Sequence, residues 1–254
     1  MTAVSVDAAG ASPSYDPACG GNNELGPLSG DGNFVAFHGT RAYAPGDDDR
    51  RRDSYLRDLT VGRTELLSAR RTAAPPARPC SYRGAGGIGL SYDARYAIFL
   101  SDNARVDDTL APDEWDYFYR DRAYPIDDPR GLVRLRLGPL VLPTTLDQYR
   151  DLGALSDDGR VAAVVSYRRL DRPDVTDVAA ARHLYVLDLS DPARPLRGAV
   201  IADVDAAGEP SASGALSFLA SLAADGSAVA FVSNSPLLPG DGNTHPDVYL
   251  RVLR

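Results

Sequence analysis

Three histidines, His38, His183 and His245, are the side chains of this chain that titrate nearest neutral pH. They suit proton transfer or metal ligation, but their spacing gathers no two of them on one turn of chain. Glu24 or His38 is the right type for a general base, and Arg83 or Arg150 for holding an anion, with Tyr149 beside Arg150. No nucleophile motif, phosphate-cradling loop or zinc signature accompanies them, and no metal centre is expected from the histidines. Asn23, Trp115, His183 and His245 are the candidate ligand contacts. Trp115 is the only tryptophan and stands among Asp113, Glu114 and Asp116. An exposed indole there would stack on a sugar or planar ring; the alternative is that it packs against a neighbouring sheet.

The elements that must position these residues form a repeat. Leu28-Ser29-Gly30-Asp31-Gly32 runs into Phe34–Phe37, and Leu90-Ser91-Tyr92-Asp93-Ala94 into Tyr96–Phe99. Leu155-Ser156-Asp157-Asp158-Gly159 precedes Val161–Val165, and Leu222-Ala223-Ala224-Asp225-Gly226 precedes Ala228–Phe231. Each unit is a short strand, a tight Asp-Gly turn and an apolar strand, recurring about every 60–70 residues. A long polar loop, a third strand and a fourth strand follow, which gives the up-and-down unit of a propeller blade. The apolar runs are short, rich in Val, Phe and Tyr, and bounded by turns, so helices fit poorly. The innermost strands, such as Gly153-Ala154-Leu155-Ser156, are rich in small residues, as four strands converging on one axis require.

The expected architecture is an all-β, single-domain propeller of four four-stranded blades, about 26–69, 87–138, 152–203 and 217–254. The last repeat is one strand short, and residues 2–6, with Val4 and Val6 on one face, are expected to close it.

The repeats resemble those of the TolB-like, WD40-like (PD40) β-propeller family. The matching residues are Leu28 to Phe37, Pro45-Gly46-Asp47 with Asp53-Ser54-Tyr55-Leu56-Arg57-Asp58-Leu59, and Pro239-Gly240-Asp241-Gly242-Asn243 with Asp247-Val248-Tyr249-Leu250-Arg251. Ala94 replaces the turn glycine in the second repeat, and His183 stands where the others have Asp. The resemblance implies a bacterial propeller, in a family whose rings usually exceed four blades. Part of a larger ring, or two chains sharing one, therefore stays open. It leaves function open too, because one fold hosts binders and enzymes alike.

In such a blade the loops joining strands two and three emerge on the same face as the connections between blades. Those connections are long here, and long loops on a rigid scaffold are where binding concentrates. Asp53, Asp116, His183 and Asp247 each precede a third strand. Either they form a ring for a cationic ligand, or each fixes its loop's return into the strand. Asp47-Asp48-Asp49 and Asp241-Gly242-Asn243 have calcium-loop residue types without the full ligand spacing. Calcium is the one cofactor the sequence leaves in view.

The net charge of −8 argues against nucleic acid or anionic membrane as partner. No apolar run is long enough to span a membrane. All 27 basic residues are Arg. Cys19 and Cys80 occupy matching loops and are either bridged or two free thiols. The start lacks the pattern of a signal peptide. Location is cytoplasmic for a complete chain, and periplasmic or secreted if a leader has been removed; the chain is a monomer or a dimer. Two functions follow. One is a binding or scaffold propeller taking a protein or small-molecule ligand on its long-loop face. The other is a small propeller enzyme, a hydrolase, lyase or cyclase, with its active site at the loop-face mouth of the channel.

Overall fold

The computed structural model describes residues 2–14, 23–47, 51–68, 85–102, 106–110, 114–126, 128–137, 153–171, 178–211, 215–243 and 245–253. It is all-β, with four antiparallel sheets formed in chain order. Sheet 1 joins β1 (Glu24–Leu28), β2 (Phe34–Gly39), β3 (Asp53–Asp58) and β4 (Arg63–Leu66). Sheet 2 joins β5 (Ala85–Leu90), β6 (Tyr96–Ser101), β7 (Asp116–Asp121) and β8 (Leu132–Arg134). Sheet 3 joins β9 (Gly153–Leu155), β10 (Val161–Arg168), β11 (Val178–Asp188) and β12 (Val200–Ile201). Sheet 4 has three strands, β13 (Ala215–Leu222), β14 (Ala228–Ser233) and β15 (Asp247–Val252).

The Asp-Gly turns explain why the first two strands of each sheet form where they do. Ser29 Oγ donates to Asp31 Oδ1 at 2.6 Å and accepts from the Phe34 amide at 2.9 Å, while Asp31 Oδ1 also accepts from the Asn33 amide at 3.0 Å. Ser91 with Asp93 and Ser156 with Asp158 repeat the arrangement. The turn's last residue takes a left-handed φ in every copy: 74° at Gly32, 53° at Ala94, 72° at Gly159 and 70° at Gly226. Glycine adopts that region without strain, so Ala94 is the one turn that departs from the pattern at a conformational cost.

Neighbouring sheets are tied together at these turns. The Asp31 amide donates to the Tyr92 carbonyl at 3.0 Å, the Tyr92 amide to the Asp157 carbonyl at 2.9 Å, and the Asp157 amide to the Ala224 carbonyl at 2.8 Å. Between these ties the sheets stack through alternating side chains. Ala36, Leu56 and Leu67 of sheet 1 pack with Ala97, Phe99 and Phe118 of sheet 2. Ile98, Tyr117 and Leu135 of sheet 2 pass into a larger core with Val164, Leu184, Val229, Phe231 and Tyr249 of sheets 3 and 4. Each sheet thus has a rear face toward the preceding sheet and a forward face toward the next.

The Pro-Gly-Asp loops have a structural task. Tyr55 Oη donates to Asp47 and to the Arg41 carbonyl, and Tyr249 Oη donates to Asp241 and to the Ser235 carbonyl. Burial, reinforced by Asp53 and Asp47, pushes the Tyr55 phenol well above its usual pKa, so it stays a donor. The motif pins a long loop to the third strand.

The expected closure is absent. Residues 2–6 form no strand and no hydrogen bond to β15. They lie on the rear face of sheet 1, where Val4 packs against Phe37, Tyr43, Tyr55 and Leu66. The Val6 carbonyl accepts from Thr64 Oγ1 at 2.6 Å and the Asp7 carbonyl from Arg57 Nη1 at 3.1 Å. Thr64 and Arg57 are buried, and a buried donor left without an acceptor is costly. The same segment also covers an aromatic cluster that no preceding sheet shields. The fourth strands are shorter than the sequence pattern implies; beyond them Leu135 and Ala202 still donate to the Tyr117 and Leu184 carbonyls of the third strands while their side chains join the core.

Candidate functional site

The first strands of the four sheets, β1, β5, β9 and β13, surround one channel of about 490 Å³. Its walls are small or aliphatic, including Gly26, Ile88, Gly89, Ala154, Ala220 and Leu222. Small residues are required here: a Cβ on Gly89 would lie 2.9 Å from both the Gly153 carbonyl oxygen and Ile98 Cγ2. The long loops leave the channel at the Glu24 end of β1, and the tight turns lie at the Leu28 end.

A polar cluster sits at that loop end of sheet 1. Glu24 and His38 are opposed in the β1–β2 register. The Glu24 carboxylate is bound by Arg52. His38 is 1% exposed, its Nδ1 lies 3.2 Å from Ser54 Oγ, and its Nε2 is buried without a hydrogen-bond partner among the described residues. Burial, then the neighbouring Arg52 charge, holds the His38 pKa well below its ordinary value. The ring is therefore neutral at pH 7. Beside it Ser68 Oγ donates to Asp53 Oδ1 at 2.6 Å and accepts from the Ser54 amide at 3.0 Å. Asn23, at the exposed edge, accepts from Tyr43 Oη at 2.7 Å. Arg51 reaches sheet 2 through Asp102 at 2.8 Å.

The other sheets carry related clusters at the same height. Asp116 accepts from the Tyr117 amide at 2.8 Å, the Leu137 amide at 3.1 Å and Arg134 Nε at 2.7 Å. Burial nonetheless raises its carboxyl pKa. In sheet 3 the acid comes from the opposite side. His183 Nδ1 lies 2.8 Å from Asp203 Oδ2, and Asp203 Oδ1 accepts from the Leu184 amide at 2.8 Å. Burial raises the Asp203 carboxyl, with His183 opposing. In sheet 4 Asn243 Nδ2 bridges Asp241 at 3.0 Å and Asp247 at 3.1 Å, and Asn243 Oδ1 accepts from the His245 amide at 2.7 Å.

Of the catalytic candidates, the structure therefore brings Glu24 and His38 together. Arg83, Tyr149 and Arg150 lie outside the described residues, as do Cys19, Cys80, Asp48 and Asp49. The ligand candidates are not gathered. Asn23 immediately precedes β1 of sheet 1, His183 is buried in sheet 3, and His245 is exposed ahead of β15 of sheet 4. Trp115 is not the exposed aromatic platform its acidic neighbours favour: it is 3% exposed, within the core shared by sheets 2 and 3. Among the described residues no group of three or more His, Cys, Asp or Glu is placed to hold a metal ion. Sequence reasoning missed Arg52, Ser68 and Asp203. Their only signal is position, at a loop end beside the residue that starts a third strand.

No protein-family model and no curated protein sequence matches the chain. The solved structures similar to it include TolB and other β-propeller proteins. TolB from Acinetobacter baumannii is 14% identical with a TM-score of 0.46, the match covering 92% of this chain and 43% of that one. A putative TolB from Agrobacterium tumefaciens is 17% identical with a TM-score of 0.44, covering 95% and 65%. The β-propeller domain of the Trilobed protease from Pyrococcus furiosus is 10% identical with a TM-score of 0.46, covering 90% and 54%. The chain spans less than two thirds of each. No helix among the described residues is long and apolar enough to cross a membrane.

Proposed function

We propose that this chain is a propeller-type binding protein that takes a protein segment or small molecule at the loop end of its channel. The four sheets are read as blades, and the observation that carries the reading is the channel itself. A cleft of about 490 Å³ is within the usual range for ligand pockets, which combine apolar walls with a few placed polar groups. Here the walls are largely apolar, and Glu24, which pairs with Arg52, immediately precedes the wall residue Leu25 on β1. An extended ligand would insert an apolar group and meet that pair with its polar end. The enzyme reading is less well supported. Its candidate bases are a carboxylate engaged by Arg52 and an imidazole shut off from solvent.

The test is thermal denaturation against a panel of short peptides and small amphiphiles, on the native chain and on Ala154→Phe, which fills the channel. A ligand at 100 times its Kd stabilises the native chain by about 2.7 kcal/mol, and the effect disappears in the variant while its circular dichroism is unchanged. Stabilisation that survives Ala154→Phe, or a panel that moves neither protein, counts against binding in the channel.

A further inference from the structure

The four strands that wall the channel, β1, β5, β9 and β13, each stand at the end of their sheet's strand order, so each is paired on one side only. The free edge of such a strand offers main-chain N–H and C=O groups, which are dipoles without net charge. Among the described residues the lining adds no ionisable side chain. The charged side chain next in line on β1, Glu24, is engaged by Arg52.

The ladders put four of the lining residues at one level. Leu28, Leu90, Leu155 and Leu222 oppose Val35, Ala97, Ala162 and Val229, each the second residue of its second strand. The residues just before them, Pro27, Gly89, Ala154 and Ser221, all line the channel. Of these, Ser221 alone has a polar side-chain atom. It is exposed, and its hydroxyl makes no hydrogen bond among the described residues. The fold does not require that hydroxyl, since Gly89 and Ala154 hold the same place without one.

This wall sets what can enter. An ionised group carried into the channel loses its water and meets no opposite charge, which is far costlier than burying a neutral polar group that finds a hydrogen bond. A neutral hydroxyl, carbonyl or amide can be met by the strand edges and by Ser221. Around that level Ile88, Leu90, Leu155 and Leu222 accept an apolar body. A volume of about 490 Å³ holds a small molecule whole.

We infer, resting on the reading of the channel as the binding site, that it selects an uncharged small molecule whose apolar body carries a hydroxyl, carbonyl or amide group, and that Ser221 determines the choice by hydrogen bonding to that group. Ser221 is one residue from the end of β13 that leads into the Asp225-Gly226 turn. The group it reads therefore enters first from the loop end and is the most deeply inserted part of the ligand. A charge there would be farthest from solvent and from the Glu24–Arg52 pair.

Ligand-observed NMR titration with naphthamide, naphthoate and naphthamidine, one planar body with a neutral, an anionic and a cationic end, tests this on the native chain, Ser221→Ala and Ala154→Phe. The amide is expected to bind the native chain at least about 100-fold more tightly than either ion. Ser221→Ala should weaken the amide about 3- to 10-fold with Tm unchanged, the loss of one hydrogen bond, and Ala154→Phe should abolish its binding. An ion that binds as well as the amide, by a mode lost in Ala154→Phe, overturns the charge selection and leaves the channel as the site. Amide affinity that Ser221→Ala leaves unchanged overturns the role of Ser221. If no probe binds, or if binding survives Ala154→Phe, the channel reading falls and the ligand class falls with it.

Discussion

Replacing His38 by Leu isolates the energetics of the one buried imidazole in sheet 1. In the folded chain its pKa lies well below the ordinary value because the ring is buried and faces the Arg52 charge. The unfolded chain binds a proton at that site with a pKa of about 6.5. The unfolded state therefore takes up more protons as pH falls, and stability present above pH 6.5 is lost below it. At pH 5 the loss is at most about 2 kcal/mol, the limit in which the folded ring takes up no proton, at 1.36 kcal/mol per unit. His38→Leu removes the whole of that dependence. At pH 7.5 the variant loses the Ser54 contact, about 1 kcal/mol, and is relieved of an unsatisfied buried Nε2 that costs about 1–3 kcal/mol. Leucine suits the site, since Leu100 holds the matching place in β6 and is fully buried. Urea denaturation at pH 5.0 and 7.5 measures all four stabilities. The expected result is near-equal stability at pH 7.5 and an advantage for the variant at pH 5, of at most about 2 kcal/mol. Every other titrating group is common to both proteins and cancels. Parallel pH curves, or a variant weaker by more than about 2 kcal/mol at pH 7.5, would refute this account of His38.

The turns supply a paired prediction. Gly159→Ala should cost about 3 kcal/mol, combining a left-handed φ with a collision against Tyr96, whereas Gly32→Ala, in open space, should cost about 1–2 kcal/mol from φ alone; equal losses in denaturant melts would show that crowding by the preceding sheet is irrelevant. Asp203→Ala should cost about 3 kcal/mol, because it strands His183 and the Leu184 amide in a buried site, and Tm should fall by about 6–12 °C. A fall of less than about 2 °C would mean that Asp203 is dispensable.

The second strands were legible because each follows a turn whose Ser, Asp and Gly dictate local geometry. Ala228–Ser233 and Phe34–Gly39 begin at the residues expected from the repeat and run two residues beyond its apolar motif. Fourth strands were not, since Arg63–Leu66, Leu132–Arg134 and Val200–Ile201 have no such punctuation at either end. Alternation in residues 2–6 marks a segment with two apolar side chains on one side but carries no information about its partner. The choice between β15 and the aromatic cluster of sheet 1 is settled by buried donors, Thr64 and Arg57, some fifty residues away in the chain. Trp115 misleads for a similar reason. Its acidic neighbours point to water, while Glu114 and Asp116 are in fact drawn onto Arg134, leaving the indole to the core. At the candidate site, Glu24 and His38 could be placed at one end of sheet 1 from the repeat, but the arginine that engages Glu24 could not.

Among the described residues, the main-chain bonds between sheets lie beside the tight turns, whereas the contacts between sheets at the loop ends are made by side chains, Arg51 with Asp102 and Tyr117 with the Val165 backbone. A stack riveted at one end deforms as a fan does. Spokes spreading or drawing together at the rim, with the pivot keeping its spacing, would change the aperture of the channel without breaking any of the described peptide-to-peptide links.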